Sequence, residues 1–428
     1  MNFTSDKKKL LSLGLVLLIL LIGVGAIVAS NYKAFFNTTS TSQSALDTEI
    51  LRLEKEIAMR PTRSTPYIGL SALYLQKIRE TSDSSYYQKI DDLLIQAEKI
   101  NPQDADIYAM RATVSNGRHD FKKGKEFIDK ALALNTTTAL YYGIAGDCAI
   151  ELGDYEQAVS YFQKMVDTRP SFASWSRIAY IRELYGDFGG AQVALEQAIA
   201  SGSKYPENIA WAYVEKGKLD IRTNPQEART NFEMALKVLP TYSQAMEGLG
   251  RVAYVTGDTR EAEAQFMNAY KQLALAQYAI DLGDLYQVTG ETQKASQYYA
   301  LAQEAYATSA KAGVDTDLEE SLFLSERGLR LADALAMAQR ASIARPNRNA
   351  ADALALAQLK NNQIAQAVTN RQKAFTLGQN DPAILYHQSL VARANKEEKL
   401  ADEFLAKSKK INPHFSILFD EKTPAAKP

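Results

Sequence analysis

The 428 residues carry 49 basic and 50 acidic side chains, and a net charge of −1 argues against a nucleic-acid partner, which calls for a basic face. Few Gly and Pro beside 46% hydrophobic residues suit a folded helical chain. A single cysteine, Cys148, excludes an intramolecular disulfide, so exported folding would not depend on oxidation.

The chain opens on Lys7-Lys8-Lys9, followed by an uncharged run from Leu10 to Ala29 rich in Leu, Ile, Val and Gly. At about 1.5 Å per residue this run spans roughly 30 Å as a helix, the thickness of a hydrocarbon core. Residues 1–9 read as a cytoplasmic basic N-terminus and 10–29 as a transmembrane helix or signal anchor. Only Lys33 follows closely on the far side, so the positive-inside rule places everything after Ser30 in the periplasm or outside the cell. The rival reading is a signal peptide cut near Ala29-Ser30. The apolar run exceeds the usual core of roughly 7–15 residues, which favours the anchor. Residues 30–45, with Thr38-Thr39-Ser40-Thr41-Ser42, form a flexible Ser/Thr-rich tether too polar to bury a core. Leu46, Ile50, Leu53 and Ile57 then share one helix face, which predicts a capping helix over 46–61.

Residues 62–416 repeat. Ala97, Ala131, Met165, Ala198, Ala235, Ala269, Ala302, Ala341, Ala374 and Ser408 succeed one another at steps of 34, 34, 33, 37, 34, 33, 39, 33 and 34. Seven residues before each lies a second, mostly small series: Ile90, Gly124, Ala158, Ala191, Ala228, Ala262, Ala295, Ala334, Ala367 and Ala401. Small residues at such a period mark a stacked helix–turn–helix array. One unit reads Tyr142, Ala145, Gly146, Ala149, Gly153, Asp154, Tyr155, Ala158, Phe162, Met165, Pro170. It resembles the tetratricopeptide repeat, as do Leu249, Gly250, Gly257, Asp258, Ala262, Phe266 and Leu282, Gly283, Tyr286, Gly290, Ala295, Tyr299. The resemblance covers residues 66–413. Gly146, Gly250 and Gly283 let paired helices approach. Gly153, Gly186, Gly257 and Gly290 end the first helix in a left-handed conformation. Pro102, Pro170, Pro240, Pro346 and Pro413 stop the second. The Tyr and Phe positions fill gaps between hairpins.

Some units depart from the pattern. The first carries an insertion around Arg79–Ser85, and Asn224-Pro225 shortens a turn. Glu291–Ala312 reads as one long helix, which explains the step of 39 and puts a possible break near 308–318. The unit Asp317–Ala341 has Leu331 and Leu335 but no aromatic anchor. Ile417, Leu418 and Phe419 are expected to cover the last hairpin, within a C-terminal tail 417–428 that is disordered from Glu421. The expected fold is all-α: an elongated right-handed superhelical solenoid of about ten hairpins, preceded by one N-terminal transmembrane helix.

The sequence holds no phosphate loop, nucleophile elbow or metalloprotease motif. The three histidines, His119, His387 and His414, lie in different repeats without metal-ligand spacing. His119 falls in a turn and is expected to be solvated, His414 to pack at a hairpin end. Asp281 and Asp284 read as a solvated helix face, and Cys148 as a buried, inert thiol. No enzyme activity, metal or cofactor is expected. In the family that the chain resembles, the first helix of each hairpin lines a concave surface. Five residues on from the aromatic position stand Thr113, Asp147, Tyr180, Lys218, Arg251 and Asp284, with Arg177, Glu183, Tyr254 and Gln287 beside them. The resemblance makes Asp147, Arg177, Tyr180, Lys218, Arg251, Tyr254, Asp284 and Gln287 candidates for holding a protein or peptide partner. The recurring Lys/Asn pairs of a carboxylate clamp are missing, and the same residues also read as the wet lining of a superhelix. The function expected is a membrane-anchored scaffold in assembly of an envelope complex. The alternatives are a cleaved, secreted or periplasmic carrier for an export or maturation machine and an accessory subunit of an enzyme.

Overall fold

The computed structural model describes residues 42–419. The chain divides into residues 1–47, of which only the start of helix α1 (Ser42–Met59) is described, and a unit from Thr48 onward that holds every hairpin. The membrane segment 10–29, most of the tether and the tail beyond Phe419 lie outside the described residues. Among the described helices none is long and apolar enough to cross a membrane.

Every regular element described is a helix. After α1, ten hairpins follow: α2 (Ser64–Thr81) with α3 (Tyr86–Ile100), α4 (Ala105–Gly117) with α5 (Phe121–Leu134), α6 (Ala139–Glu151) with α7 (Tyr155–Thr168), α8 (Phe172–Leu184) with α9 (Phe188–Ser201), and α10 (Pro206–Asp220) with α11 (Pro225–Val238). The second five are α12 (Ser243–Thr256) with α13 (Thr259–Gln272), α14 (Ala276–Val288) with α15 (Thr292–Lys311), α16 (Asp317–Arg327) with α17 (Leu331–Ala344), α18 (Arg348–Lys360) with α19 (Ile364–Ala374), and α20 (Pro382–Ala394) with α21 (Glu398–Ile411). In α1, Glu54 accepts a hydrogen bond from Tyr74 of α2 at 2.9 Å.

The periodic sequence explains the hairpins one contact at a time. Both small-residue series lie on the second helices, and all twenty positions are buried. The Gly-Asp turn does two jobs. Gly257, at φ 91°, ends α12 in the left-handed region, and Asp258 then caps α13 by accepting from the Glu261 amide at 2.9 Å. Asp120, Asp154, Asp187 and Asn224 cap their second helices in the same way. The close approach at Gly250 is equally literal, for a Cβ there would sit 2.6 Å from the Phe266 ring. Phe266 is itself fully buried, worth roughly 1.5–3 kcal/mol of transfer energy. On three first helices a tyrosine hydroxyl donates to a loop carbonyl six residues back: Tyr67 to Pro61, Tyr108 to Pro102 and Tyr142 to Thr136, at 3.1, 2.8 and 2.7 Å.

α15 is a single helix of 20 residues, as the step of 39 implies. The joint behind it is bridged by long side chains. Phe323 of α16 lies 5.8 Å from Tyr299 and 6.1 Å from Tyr306, ring centre to ring centre. The unit expected to lack an aromatic anchor therefore has one, Phe323, supplied from its first helix and buried.

The expectation of a simply elongated array needs correcting. Loops about 195 residues apart in sequence touch. The Asp315 amide donates to the Arg118 carbonyl at 3.0 Å, and His119 meets the Asp315 carbonyl at 2.7 Å, so His119 is a joint between distant repeats rather than a solvated turn. Arg345 grips Glu151 at 2.8 and 3.0 Å. Tyr155 accepts from the Arg348 amide at 2.8 Å, and Asn380 donates to the Leu184 carbonyl at 3.1 Å. Small rotations between neighbouring hairpins accumulate until the second, third and fourth hairpins meet the loops that lead into the eighth, ninth and tenth.

Candidate partner-binding face

The first helices are the inner ones. A cavity of about 620 Å³ is walled by Trp211, Glu215 and Lys218 of α10, by Gln244, Glu247 and Arg251 of α12, and by Gln277 and Tyr278 of α14. Its fourth side is the segment after the last helix, with Asn412, His414 and Phe415. Acid, base, amide and aromatic groups from three consecutive repeats thus face one space. The helices place them there because residues three and four apart share a face: Glu215 lies three before Lys218, and Glu247 four before Arg251.

The structure sorts the sequence candidates into groups. Lys218 and Arg251 line the cavity. Tyr180 is 41% exposed and Gln287 is exposed, so both are open to a partner. Asp147 and Arg177 bind each other across α6 and α8, at 2.9 and 2.6 Å. Tyr254 is buried, and its hydroxyl donates to the Ile417 carbonyl at 3.1 Å. Asp284 is buried in a fork made by Arg327 Nε and Nη2 at 2.8 and 2.6 Å, and it also accepts from Tyr299 at 2.9 Å.

Asp281 and Asp284 therefore do not form a solvated face. Arg251 reaches Asp281 at 2.8 Å and also pairs with Glu247. Burial pushes the Asp281 carboxyl up to about 7 against the pull of Arg251. The polar chain continues past the joint. Arg327 pairs with Glu326 at 2.8 Å, Glu326 lies 3.3 Å from His387, and His387 meets Asp352 at 2.7 Å. Gln388 donates to the second Asp352 oxygen at 2.5 Å. Ionic groups thus run along the first helices from α12 to α20, with His387 of α20 meeting both Asp352 of α18 and Glu326 of α16.

The Cys148 thiol is fully buried and donates to Asn116, and burial pushes its pKa up to about 12. It is the inert apolar residue expected. Among the described residues no group of His, Cys, Asp and Glu is arranged to hold a metal ion.

Sequence reasoning missed Trp211, Glu215, Gln244, Glu247 and Gln277 as lining residues. The signal was available, since four of them stand at the same helical face as Lys218 and Arg251. It missed the segment after the last helix as a wall, because no local pattern says where an apolar Ile417 will dock. That segment corrects another expectation: Phe419 does stack on Tyr386 of the last hairpin at 4.5 Å, but Ile417 belongs to the core around α12.

Comparison with known proteins completes the picture. A tetratricopeptide repeat family model matches residues 139–172, which hold α6 and α7. A TPR repeat-containing protein of Pseudomonas aeruginosa is 30% identical over 86 residues, covering 20% of this chain and 82% of the relative. The chain belongs to the tetratricopeptide repeat family. Solved structures similar to this tetratricopeptide protein include PilW, described as a type IV pilus biogenesis factor, with 16% identity and a TM-score of 0.41 over 47% of this chain and 94% of that one. The human IFIT1 dimer with PPP-AAAA matches at 13% identity and a TM-score of 0.45, over 85% of this chain and 95% of that one. At such values neither carries a function across.

Proposed function

We propose that this tetratricopeptide protein is a membrane-anchored, non-catalytic scaffold whose inner face holds an extended segment of a protein partner. The observation behind this reading is the cavity of about 620 Å³, where Trp211, Lys218, Glu247 and Gln277 from three successive first helices converge. Mixed charges with aromatic anchors suit a peptide held by several modest contacts, and concave solenoid faces offer such extended surfaces. The anchor is the apolar run 10–29, with Lys7-Lys8-Lys9 keeping the N-terminus in the cytoplasm and the repeats on the far side. In that compartment the scaffold would serve the assembly of an envelope complex.

The binding test uses side chains that the fold can spare. Arg251 is a poor choice, because its loss strands buried Asp281. Tyr180 and Lys218 are open, and Lys218 pairs only in part-exposed fashion with Glu215 at 2.8 Å. A Tyr180→Ala/Lys218→Ala double variant is expected to lose at least tenfold in affinity for the captured partner, about 1.4 kcal/mol, with its melting temperature unchanged. The partner comes from a pull-down with detergent-solubilised membranes, and calorimetry measures its affinity. Gln197→Ala/Gln265→Ala, on second helices, is the control. Equal affinity of the inner-face variant and the control would remove the inner face as the site. For topology, a reporter active only outside the cytoplasm is fused after Pro428; we expect it to be active, and silence in well-expressed protein would contradict the orientation.

A further inference from the structure

The last helix ends at Ile411, and the chain beyond it turns back into the fold. Asn412, His414 and Phe415 join Trp211, Lys218 and Arg251 around the inner cavity. Ile417 is 3% exposed and packs in the same apolar cluster as Tyr254 and Val255 of α12. Its carbonyl accepts the Tyr254 hydroxyl at 3.1 Å, across 163 residues of sequence. Phe415 and Phe419 lie 5.5 and 4.5 Å from the Tyr386 ring of α20. Turns and bends carry the segment across the inner face, and it offers the contacts a bound peptide would: one aliphatic side chain inserted, an aromatic one two positions earlier against the wall, and a backbone carbonyl held by a side-chain donor.

We propose that Asn412–Phe419 is a strap that walls the open inner cavity and fills the Tyr254 pocket beside it, and that it leaves when a partner segment with an aromatic residue followed two positions later by an aliphatic one takes its place. The proposal rests on the inner face being the binding face. It goes further by naming the chemistry of the segment and the device that guards it.

Two features set the segment apart from the repeats, although Ile417 itself is inserted in the α12 cluster. It has no helix or strand of its own. Of its side chains only Asn412 and Ile417 are buried, the others being half-buried. Segments with few buried contacts open at a small fraction of the global unfolding free energy. A tethered strap also competes at an effective concentration on the order of millimolar. A free segment of equal intrinsic affinity therefore binds the closed chain weakly, its apparent dissociation constant being the intrinsic one divided by the open fraction.

The probe is a fluorescent synthetic peptide with the sequence of residues 411–419, Ile-Asn-Pro-His-Phe-Ser-Ile-Leu-Phe, titrated by anisotropy against the full chain in detergent. The Ile417→Asp variant of the chain is expected to bind it at least tenfold more tightly than the unsubstituted chain. A peptide carrying the same Ile-to-Asp change is expected to bind neither. An Ile417→Asp chain with intact helical content and melting that binds no better than the parent overturns the strap. Hydrogen exchange on the unsubstituted chain gives a second reading that needs no variant. Amides of residues 414–419 are expected to exchange at least tenfold faster than those of α12 and α20, and exchange in step with those helices overturns the proposal. None of this needs the natural partner. Peptide capture by Ile417→Asp with partner affinity indifferent to Tyr180→Ala/Lys218→Ala would keep the strap and refute the function proposed above.

Discussion

Arg327→Met is expected to destabilise the protein by about 3–5 kcal/mol, the cost of breaking a buried ion pair from one side. Arg327 and Asp284 have side chains 7% and 6% exposed, and two parallel bonds join them across the joint between α14 and α16. Burial already raises the Asp284 pKa, and Arg327 opposes that rise. Without the guanidinium, the carboxylate keeps only the Tyr299 hydroxyl from this cluster and must either stay buried and charged or take up a proton. Methionine preserves most of the volume, so the loss is electrostatic rather than a cavity. Asp284→Asn in the same chain removes the stranded charge, and the double variant is expected to recover more than half of the loss. Because stability in a repeat array is a sum of local and nearest-neighbour terms, hairpins on either side of the joint should uncouple first. Hydrogen exchange at α14 and α16 reads that directly. A single variant within 1 kcal/mol of the parent, by the thresholds of a surface pair, would show that the pair contributes little.

Stability should also fall between neutral and alkaline pH through His387. This imidazole is 2% exposed and faces Asp352 of α18 and Glu326 of α16, with Gln388 of its own helix completing the Asp352 shell. Burial by itself would push the pKa down, but Asp352 and then Glu326 carry it up from 6.5 to about 10. A pKa raised on folding means that the imidazolium stabilises the native state fully below the unfolded value of 6.5, and that this contribution disappears as pH rises through the folded value near 10. Within that window each pH unit removes up to about 1.4 kcal/mol, so on the order of 3–5 kcal/mol is at stake. Glu326 acts at the other end: burial would raise its pKa, but His387 and Arg327 lower it, so its share is present above 4.5 and lost in acid. Urea unfolding of the parent and of His387→Gln at several pH values between 6 and 10 isolates the histidine. The parent should lose stability faster than the variant across that range. Two parallel curves would show that His387 does not titrate as its surroundings require.

The first result turns on Asp284, which the sequence reading placed with Asp281 on a solvated face. Asp281 and Asp284 look like an open charged face when one repeat is read alone. Their partners, Arg251 and Arg327, lie 30 and 43 residues away, on first helices of the neighbouring hairpins. Repetition makes the small and aromatic positions recur, but the charge that satisfies a given carboxylate need not recur, and here it does not. Of the eight candidate binding residues, the structure opens Tyr180, Lys218 and Gln287 and puts Arg251 on the cavity wall. It commits Asp147, Arg177, Tyr254 and Asp284 to contacts within the chain.

What the amino-acid order determined by itself was everything local. Ala262, Ala269, Gly250 and Phe266 belong to one hairpin, within about twenty residues, and their spacing on two helices fixes which surfaces can meet. Asp258 needs only its own next turn to act as a cap. The tertiary structure alone decided where the accumulated rotation brings the array. The contacts of Glu151 with Arg345 and of Leu184 with Asn380 depend on the sum of many small inter-hairpin angles, and no local motif encodes such a sum. The same holds for Ile417. Its hydrophobicity says that it will be buried, but the pocket beside Tyr254 exists only once the sixth hairpin has been carried round to meet the segment after the last helix.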